Sequence, residues 1–277
     1  MSVSTLIMTW NEEANLPSCL ASLKWCDDIV LLDSFSTDQT VEIAKAAGAR
    51  VYQRAWDSES CQRMHGLRQI PFKHEWVYMP DADEITTAEL QRELLLVSRD
   101  SHRSECAFRV RRKDIFMGKW IKHSTLYPTF FTRLVRPDRV EVRREIHPYY
   151  VVDGDVGDLV GHIEHHSFRK GVSDWFKKHN WYSNVEANLA ISTDDVKSRS
   201  YLDVFSSSQR ERRDAIKKIV MKLPFRPTLR FLYMYLVRRG FLDGWAGYSY
   251  CRMIAAYELM IVVKTEELRR RARGLSI

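Results

Sequence analysis

The chain has 277 residues, 45% of them hydrophobic, enough for one large domain or one domain with an appendage. Its five cysteines (19, 26, 61, 106 and 251) are odd in number and form no Cys-x-x-Cys pair, which points to reduced thiols in a cytoplasmic protein. Net charge is +7, yet Gln209 to the last residue holds 16 Lys/Arg against 6 Asp/Glu, a local +10 that leaves −3 for the rest. A near-neutral body with a basic, aromatic tail needs an anionic partner for the tail, either a membrane face or a nucleic acid. The N-terminal residues lack a basic region followed by an apolar run, so no signal peptide is expected.

In chain order, Thr5 to Met8 reads as a short strand that runs into Thr9-Trp10-Asn11-Glu12-Glu13. A helix follows from about Asn15 to Lys24, with Leu16, Leu20 and Leu23 on one face. Asp28 to Leu32 is a second strand, then come Asp33-Ser34-Phe35-Ser36-Thr37-Asp38 and a helix from about Gln39 to Ala47 that Gly48 ends. Val51-Tyr52 begins a third strand, and residues 59–70 suit a helix. Trp76 to Met79 is a buried strand that ends in three acids, Asp81, Asp83 and Glu84.

Strands alternating with helices at this spacing predict a parallel sheet covered on both faces, with ligands beyond the carboxyl ends of the strands. Glu12, Asp33, Asp81 and Asp83 all fall at such ends. Acids packed this closely repel, and a divalent cation is the simplest remedy, because hard ions prefer carboxylate oxygens. An ion held there also holds a diphosphate and neutralises it as it leaves. The plainer alternative is a solvated turn, with Asp83 or Thr86 as N-cap of a helix from Thr87 to Val97. No Gly-x-Gly-x-x-Gly follows the first strand, so a dehydrogenase-type phosphate cradle is absent.

The three segments Thr9-Trp10-Asn11-Glu12-Glu13, Asp33-Ser34-Phe35-Ser36-Thr37-Asp38 and Asp81-Ala82-Asp83-Glu84 resemble, in order, the motif series of the family 2 glycosyltransferases. The closest branch is the bacterial one that builds lipopolysaccharide core and exopolysaccharide. The resemblance implies an α/β, GT-A-type, Rossmann-like mixed sheet sandwiched by helices, and an inverting, metal-dependent hexosyl transfer. It implies a nucleotide-diphospho-sugar donor, a UDP-sugar, with Mg or Mn. It assigns Asp33 to the base, Glu12 to the ribose, Asp81 to ribose and sugar, and Asp83 to the metal with Asp81 beside it; Thr9 and Trp10 fall in the same donor loop. Trp10 departs from the family's Tyr, and Phe35 from its Gly, which changes the loop under the nucleotide.

Residues 105–152 are expected to carry the acceptor side, within a catalytic domain over 1–168 whose first 100 residues hold the donor. Ala107 to Arg111 alternates like a strand. Phe116-Met-Gly-Lys-Trp120 and the stretch from Tyr127 to Arg136 resemble family segments, and Arg133 and Arg136 offer paired donors to a diphosphate. Arg143-Arg-Glu-Ile-His-Pro148 resembles a segment in which many relatives have Glu where Pro148 stands. Inverting transfer needs a base on the acceptor hydroxyl. Glu145 and His147 alternate on one face, so Glu145 is the first candidate, with Asp153 or Asp155 in reserve. His162, Glu164 and His166 also share a strand face; a structural or acceptor role is preferred there over zinc.

Residues 169–277 form the helical remainder. Gly171 to Leu189 reads as an amphipathic helix. Ile216, Ile219, Val220 and Leu223 form a stripe beside lysines, Pro224 and Pro227 break the chain, Phe231 to Val237 is apolar all round, and Ala246 to Val263 is interrupted by Arg252 and Glu258. No run reaches the length of a charge-free spanning helix. The pattern suits amphipathic helices lying in the interface of an anionic membrane. A peripheral enzyme on the inner face of the plasma membrane, acting on a lipid-linked oligosaccharide or lipopolysaccharide-core acceptor, is the expectation. A nucleic-acid-binding protein is disfavoured by the acidic strand edges, and a donor-binding relative without transfer activity is the third reading.

Overall fold

The computed structural model describes residues 3–100, 102–143, 148–195 and 225–277, without the side chains of 192–195. The expected stripe from Ile216 to Leu223 lies outside the described residues. The chain divides into two compact units, one of Met1–Trp120 with Tyr127–Lys170, the other of Ile121–Leu126 with Gly171–Ile277. The segment at 121–126 belongs with the second unit.

The first unit contains, in order, β1 (Val3–Thr9), α1 (Leu16–Ala21), β2 (Ile29–Asp33), α2 (Thr40–Ala46), β3 (Arg50–Gln53), α3 (Glu59–Gln69), β4 (Trp76–Tyr78), β5 (Glu84–Thr86) and α4 (Ala88–Arg99). Then follow β6 (Glu105–Phe116), β7 (Lys119–Trp120), β8 (Thr129–Val135), β9 (Val140–Arg143), β10 (Tyr149–Val152) and β11 (Asp155–His165). Among the described residues the main sheet runs β3-β2-β1-β4-β8-β6-β11-β5, with β7 on β6 and a separate β9-β10 ribbon. The β3-β2-β1-β4 half is parallel. Pairing then turns antiparallel at β8, so the sheet is mixed, as the GT-A expectation requires.

Period-two alternation splits the core into two faces. Val3, Ile7, Leu31, Trp76 and Tyr78 point to the side covered by Leu16 and Leu20 of α1, Ala44 of α2 and Leu90 and Leu94 of α4. Leu6, Val30, Leu32 and Val77 point the other way, onto Leu67 of α3 and Val140 and Val142 of β9. Fully burying each such side chain contributes about 1.5–3 kcal/mol. Two glycines let helices approach closely. A Cβ on Gly66 of α3 would sit 2.6 Å from Leu6 Cδ2, and one on Gly161 of β11 would sit 2.6 Å from the Leu90 backbone.

The helix after the acids starts later than expected. Thr87, not Asp83 or Thr86, is the N-cap, its hydroxyl accepting from Leu90 N–H at 3.4 Å. Glu84–Thr86 instead forms β5, because its alternation buries Glu84 and Thr86 and pairs the segment with β11. The Tyr78 and Thr86 hydroxyls share a hydrogen bond of 3.0 Å there.

The second unit contains α5 (Val172–Asp195), α6 (Arg226–Leu232), a π-helical turn (Tyr233–Val237), a 3-10 turn (Gly240–Asp243) and α7 (Gly244–Ala272). Pro227 does not break the chain. It sits in the first turn of α6, where its missing N–H has no partner to lose. Lys264 of α7 clamps α5, donating to the Asn180 carbonyl at 2.8 Å and to Asn180 Oδ1 and Ser183 Oγ at 2.7 Å. Among the described residues no helix is long and apolar enough to cross a membrane.

Candidate active site

The loops after β1 and β2 are laced together. Thr9 Oγ1 donates to Asp33 Oδ1 at 2.9 Å, Asn11 N–H to Ser36 Oγ at 2.8 Å, and Glu12 N–H to Thr40 Oγ1 at 2.7 Å. Asn11 Oδ1 in turn accepts from Thr37 N–H at 2.8 Å. Asp33 lies at the centre and is wholly buried. Its Oδ1 also accepts from Ser36 Oγ at 2.5 Å, and its Oδ2 accepts from Ser36 N–H at 2.8 Å and Gln53 Nε2 at 3.2 Å. A carboxylate has about four acceptor positions, so Asp33 is fully engaged in shaping the loop.

Two aromatic side chains stand out from this loop pair, Trp10 and Phe35, both more than half exposed. Phe35 adopts φ +58°, the left-handed region that favours glycine. The departure from the family's Gly is therefore a strained one. Glu12 turns inward: its carboxylate accepts from Asn15 Nδ2 at 2.7 Å and Lys170 Nζ at 2.6 Å. Burial raises its pKa, against the pull of those two donors.

The acids after β4 form the charged centre. Asp81 and Glu84 close a turn on each other, with Glu84 N–H on the Asp81 carbonyl at 3.0 Å and Asp81 N–H on Glu84 Oε2 at 2.9 Å. Arg133, from β8 and only 4% exposed, bridges both carboxylates. It binds Glu84 Oε1 at 2.6 Å and makes a short pair with Asp81 Oδ2. Arg63 of α3 reaches Asp81 Oδ1 at 3.0 Å, Glu59 at 2.8 Å and the Tyr150 hydroxyl at 3.2 Å. Burial opposes the charge on Asp81, but Arg133 and Arg63 outweigh it and hold the carboxyl well below the usual range. Burial wins at Glu84 and pushes its pKa up, despite Arg133.

Asp83 points elsewhere. Its Oδ2 lies 3.3 Å from His165 Nε2, and its carbonyl accepts from His166 N–H at 2.8 Å. His165 Nδ1 meets Asp114 at 2.6 Å, and Arg112 meets the same carboxylate at 3.1 Å. Burial and Arg112 favour a neutral ring, yet Asp83 and Asp114 outweigh them and raise the His165 pKa to about 9. A protonated imidazole thus sits between two acids. Of the groups named in this centre, Asp81, Asp83, Glu84, Glu59 and Asp114 are five acids, and Arg63, Arg133, Arg112 and His165 are four cations.

Several expectations need correction. Arg136 does not join Arg133. It lies just past the end of β8, by the amino end of β4, paired with Glu75 at 3.2 Å and set over the Trp76 ring. Asp153 and Asp155 are also misplaced as reserve bases. Asp155 opens β11 and His165 ends it, so about ten residues at roughly 3.3 Å each separate them from the acids. His162 and His166 do not share an acid: His162 faces Glu89 at 3.6 Å and His166 faces Glu164 at 3.7 Å. Glu145 and His147 lie outside the described residues; Arg143 and Tyr149, flanking them, are paired across the β9-β10 ribbon.

Six charged residues of this region were not singled out from the sequence: Glu59, Arg63, Arg112, Asp114, His165 and Lys170. His165 had a readable signal. It shares strand parity with Leu159 and Ile163, both buried, so it had to face inward. Arg63 lies four residues from Glu59 on a helix, a pairing that sequence spacing alone assigns to the surface.

The family model for glycosyl transferase family 2 matches residues 4–156. A lipopolysaccharide core biosynthesis glycosyltransferase, LpsC of Rhizobium meliloti (strain 1021), is 28% identical over 272 residues, covering 92% of this chain and 91% of that protein. An uncharacterized glycosyltransferase of Rickettsia typhi is 24% identical, covering 99% of this chain and 89% of that one. Among solved structures, S. aureus TarS 1–349 in complex with UDP-GlcNAc is 16% identical with a TM-score of 0.46, covering 99% of this chain and 93% of that one. The three acid-bearing turns at the carboxyl edge of the sheet lie within the matched span, and the chain belongs to glycosyl transferase family 2.

Proposed function

We propose that this glycosyltransferase moves a hexose from a nucleotide-diphospho-sugar, a UDP-sugar, onto a hydroxyl of a lipopolysaccharide-core or lipid-linked acceptor, with inversion, at the inner face of the plasma membrane. The observation that carries the reading is the charged centre: Asp81 locked by two buried arginines, and Asp83 set apart from it against His165. That division gives two neighbouring acids two tasks. Asp81, held ionised and immobile, is suited to accept hydrogen bonds from ribose and sugar hydroxyls. Asp83, which already meets a cationic ring in His165, is suited to meet a metal cation. Likeness to a lipopolysaccharide core enzyme supports the acceptor class.

The donor set fits a divalent ion, Mg or Mn. Asp83 would offer the ion a hard carboxylate oxygen, and the neutral form of His165 would offer an imidazole nitrogen. Among the described residues no group of three or more such side chains is gathered, so Asp83 and His165 are the side chains that would hold the ion. When bound, the ion would neutralise charge on the departing diphosphate. Thr9, Trp10, Glu12 and Asp33 border the donor loop, and Arg133 fixes the acids beneath it. The acceptor oxygen forms a bond to the anomeric carbon as the bond to the diphosphate oxygen breaks. The diphosphate leaves with the electron pair, and the hydroxyl proton passes to Glu145, with His147 on the same segment.

Calorimetric titration of UDP-sugars with and without Mn tests this. Wild type should bind a donor in a metal-dependent way, and Asp83→Ala should lose that dependence while keeping its melting temperature. Metal-dependent binding that persists in a folded Asp83→Ala protein would sink the assignment.

A further inference from the structure

The corner between α6 and α7 exposes apolar side chains from a rigid frame. Leu236, Val237, Phe241, Leu242 and Trp245 all lie within ten residues, and Val237 and Trp245 are each 70% exposed. These are not side chains of a loose loop. Arg238 N–H closes a π-type bond on the Tyr233 carbonyl at 2.8 Å, and Arg239 takes φ +61°. Gly240 then packs so closely that a Cβ there would lie 2.8 Å from the Met234 carbonyl oxygen. A Cβ on Gly247 would lie 2.3 Å from the Gly240 carbonyl oxygen. Trp245 stacks on Tyr248 at 5.5 Å, and with Tyr235 and Gly244 they wall an open cleft of about 430 Å³.

Charge tells what covers this surface. Residues 225–252 hold five arginines and one acid, Asp243. That acid is turned inward: its Oδ2 accepts from His123 N–H at 2.9 Å and from Ser124 N–H and Oγ at 2.7 Å each. Arg226 is spent on Glu258 at 2.6 Å. Arg239 remains at the exposed tip between Val237 and Phe241. The corner therefore presents aliphatic tips, aromatic rings and positive charge, with its negative charge withdrawn. A second copy of this chain would bring arginine against arginine in a two-fold contact. An aliphatic tip such as Val237 or Leu242 gains nothing from a saccharide. Interfacial membrane segments combine these three features, with Trp and Tyr at headgroup level and basic residues drawn to anionic lipid.

We infer that the corner at 233–245 is the element that inserts into an anionic bilayer, through Val237, Leu242 and Trp245. This deepens the membrane part of the proposed function and rests on it, but it is independent of the donor chemistry. The test is co-sedimentation of the full chain, without donor, on vesicles of phosphatidylcholine alone or with 30% phosphatidylglycerol. Wild type should bind the anionic vesicles, and Val237→Glu/Leu242→Glu should weaken binding at least tenfold while keeping the wild-type melting curve. Val263→Glu, an exposed site about 27 Å along α7 from Trp245, should change binding less than twofold. Trp245→Phe should remove most of the vesicle-induced blue shift in fluorescence. If wild type binds vesicles but the corner variant binds as well as wild type, or if Val263→Glu is equally impaired, the assignment of the corner falls and the membrane reading stands. If wild type ignores anionic vesicles, both fall, and donor binding is untouched. Self-association that the corner variant abolishes, with no vesicle binding, would place a second copy there instead.

Discussion

Replacing Arg133 by Met should expose how the acid turn is held together. Arg133 is 4% exposed and is the cation that meets the wholly buried Glu84, while Asp81 keeps Arg63 as a second partner. The loss therefore falls on Glu84, which among the described residues keeps the Asp81 N–H and the more distant charge of His165. Removing one partner of a buried pair costs about 3–5 kcal/mol, more than the pair itself contributes, because a charge is left uncompensated. At about 2–4 °C per kcal/mol for chains of this size, the melting temperature should drop on the order of 10 °C. The drop should depend on pH with a definite sign. Glu84 has a raised pKa in the fold, so its ionised form is already disfavoured, and losing Arg133 raises it further. A raised folded pKa favours folding below the unfolded value and loses that advantage as pH rises. The gap to wild type should thus be widest near pH 8 and narrow towards pH 5. Adding Glu84→Gln to Arg133→Met should recover part of the loss, since it removes the stranded charge. Thermal melts across pH 5–8 for the four proteins of this cycle measure all of it. A melting temperature within two degrees of wild type, or a gap that does not change with pH, would refute the electrostatic account of the turn.

His165→Gln should show the linkage of a histidine raised to about 9. The wild-type stability advantage is full below about pH 6.5 and disappears as pH passes 9, so the two melting curves should converge over that window. Phe35→Gly should relieve about 1–2 kcal/mol of left-handed strain, offset by about 0.5–1 kcal/mol of added chain entropy, giving a melting temperature equal to or above wild type. A clear destabilisation would show that the exposed ring packs usefully in solution. Glu145→Gln should keep donor affinity and lower the transfer rate by about two to four orders of magnitude, the range for a general base. Near-wild-type turnover in a radiolabelled-sugar assay would remove Glu145 from that role.

The strand-helix alternation, the two faces of the parallel half and the acids at its carboxyl edge were legible in the sequence, because each follows from local period and chain order. Thr9, Glu12, Asp33, Asp81 and Asp83 are local in this sense: each sits at or just beyond the end of a strand whose direction the pattern sets. The partners of these acids are not local. Arg133, Arg63 and His165 reach the acid turn from β8, α3 and β11, across sequence separations of 18 to 82 residues. Which end of β8 faces the site depends on antiparallel pairing with β4, and that register separated Arg133 from Arg136, residues that sequence spacing treats alike. Strand parity could have identified His165, but only the neighbouring strand could supply Asp114 to hold its proton. The tail shows the same division. Composition alone marked it as basic and apolar, whereas the withdrawal of Asp243 onto the amides of His123 and Ser124, over about 120 residues of chain, is decided by tertiary packing and leaves the corner with positive charge only.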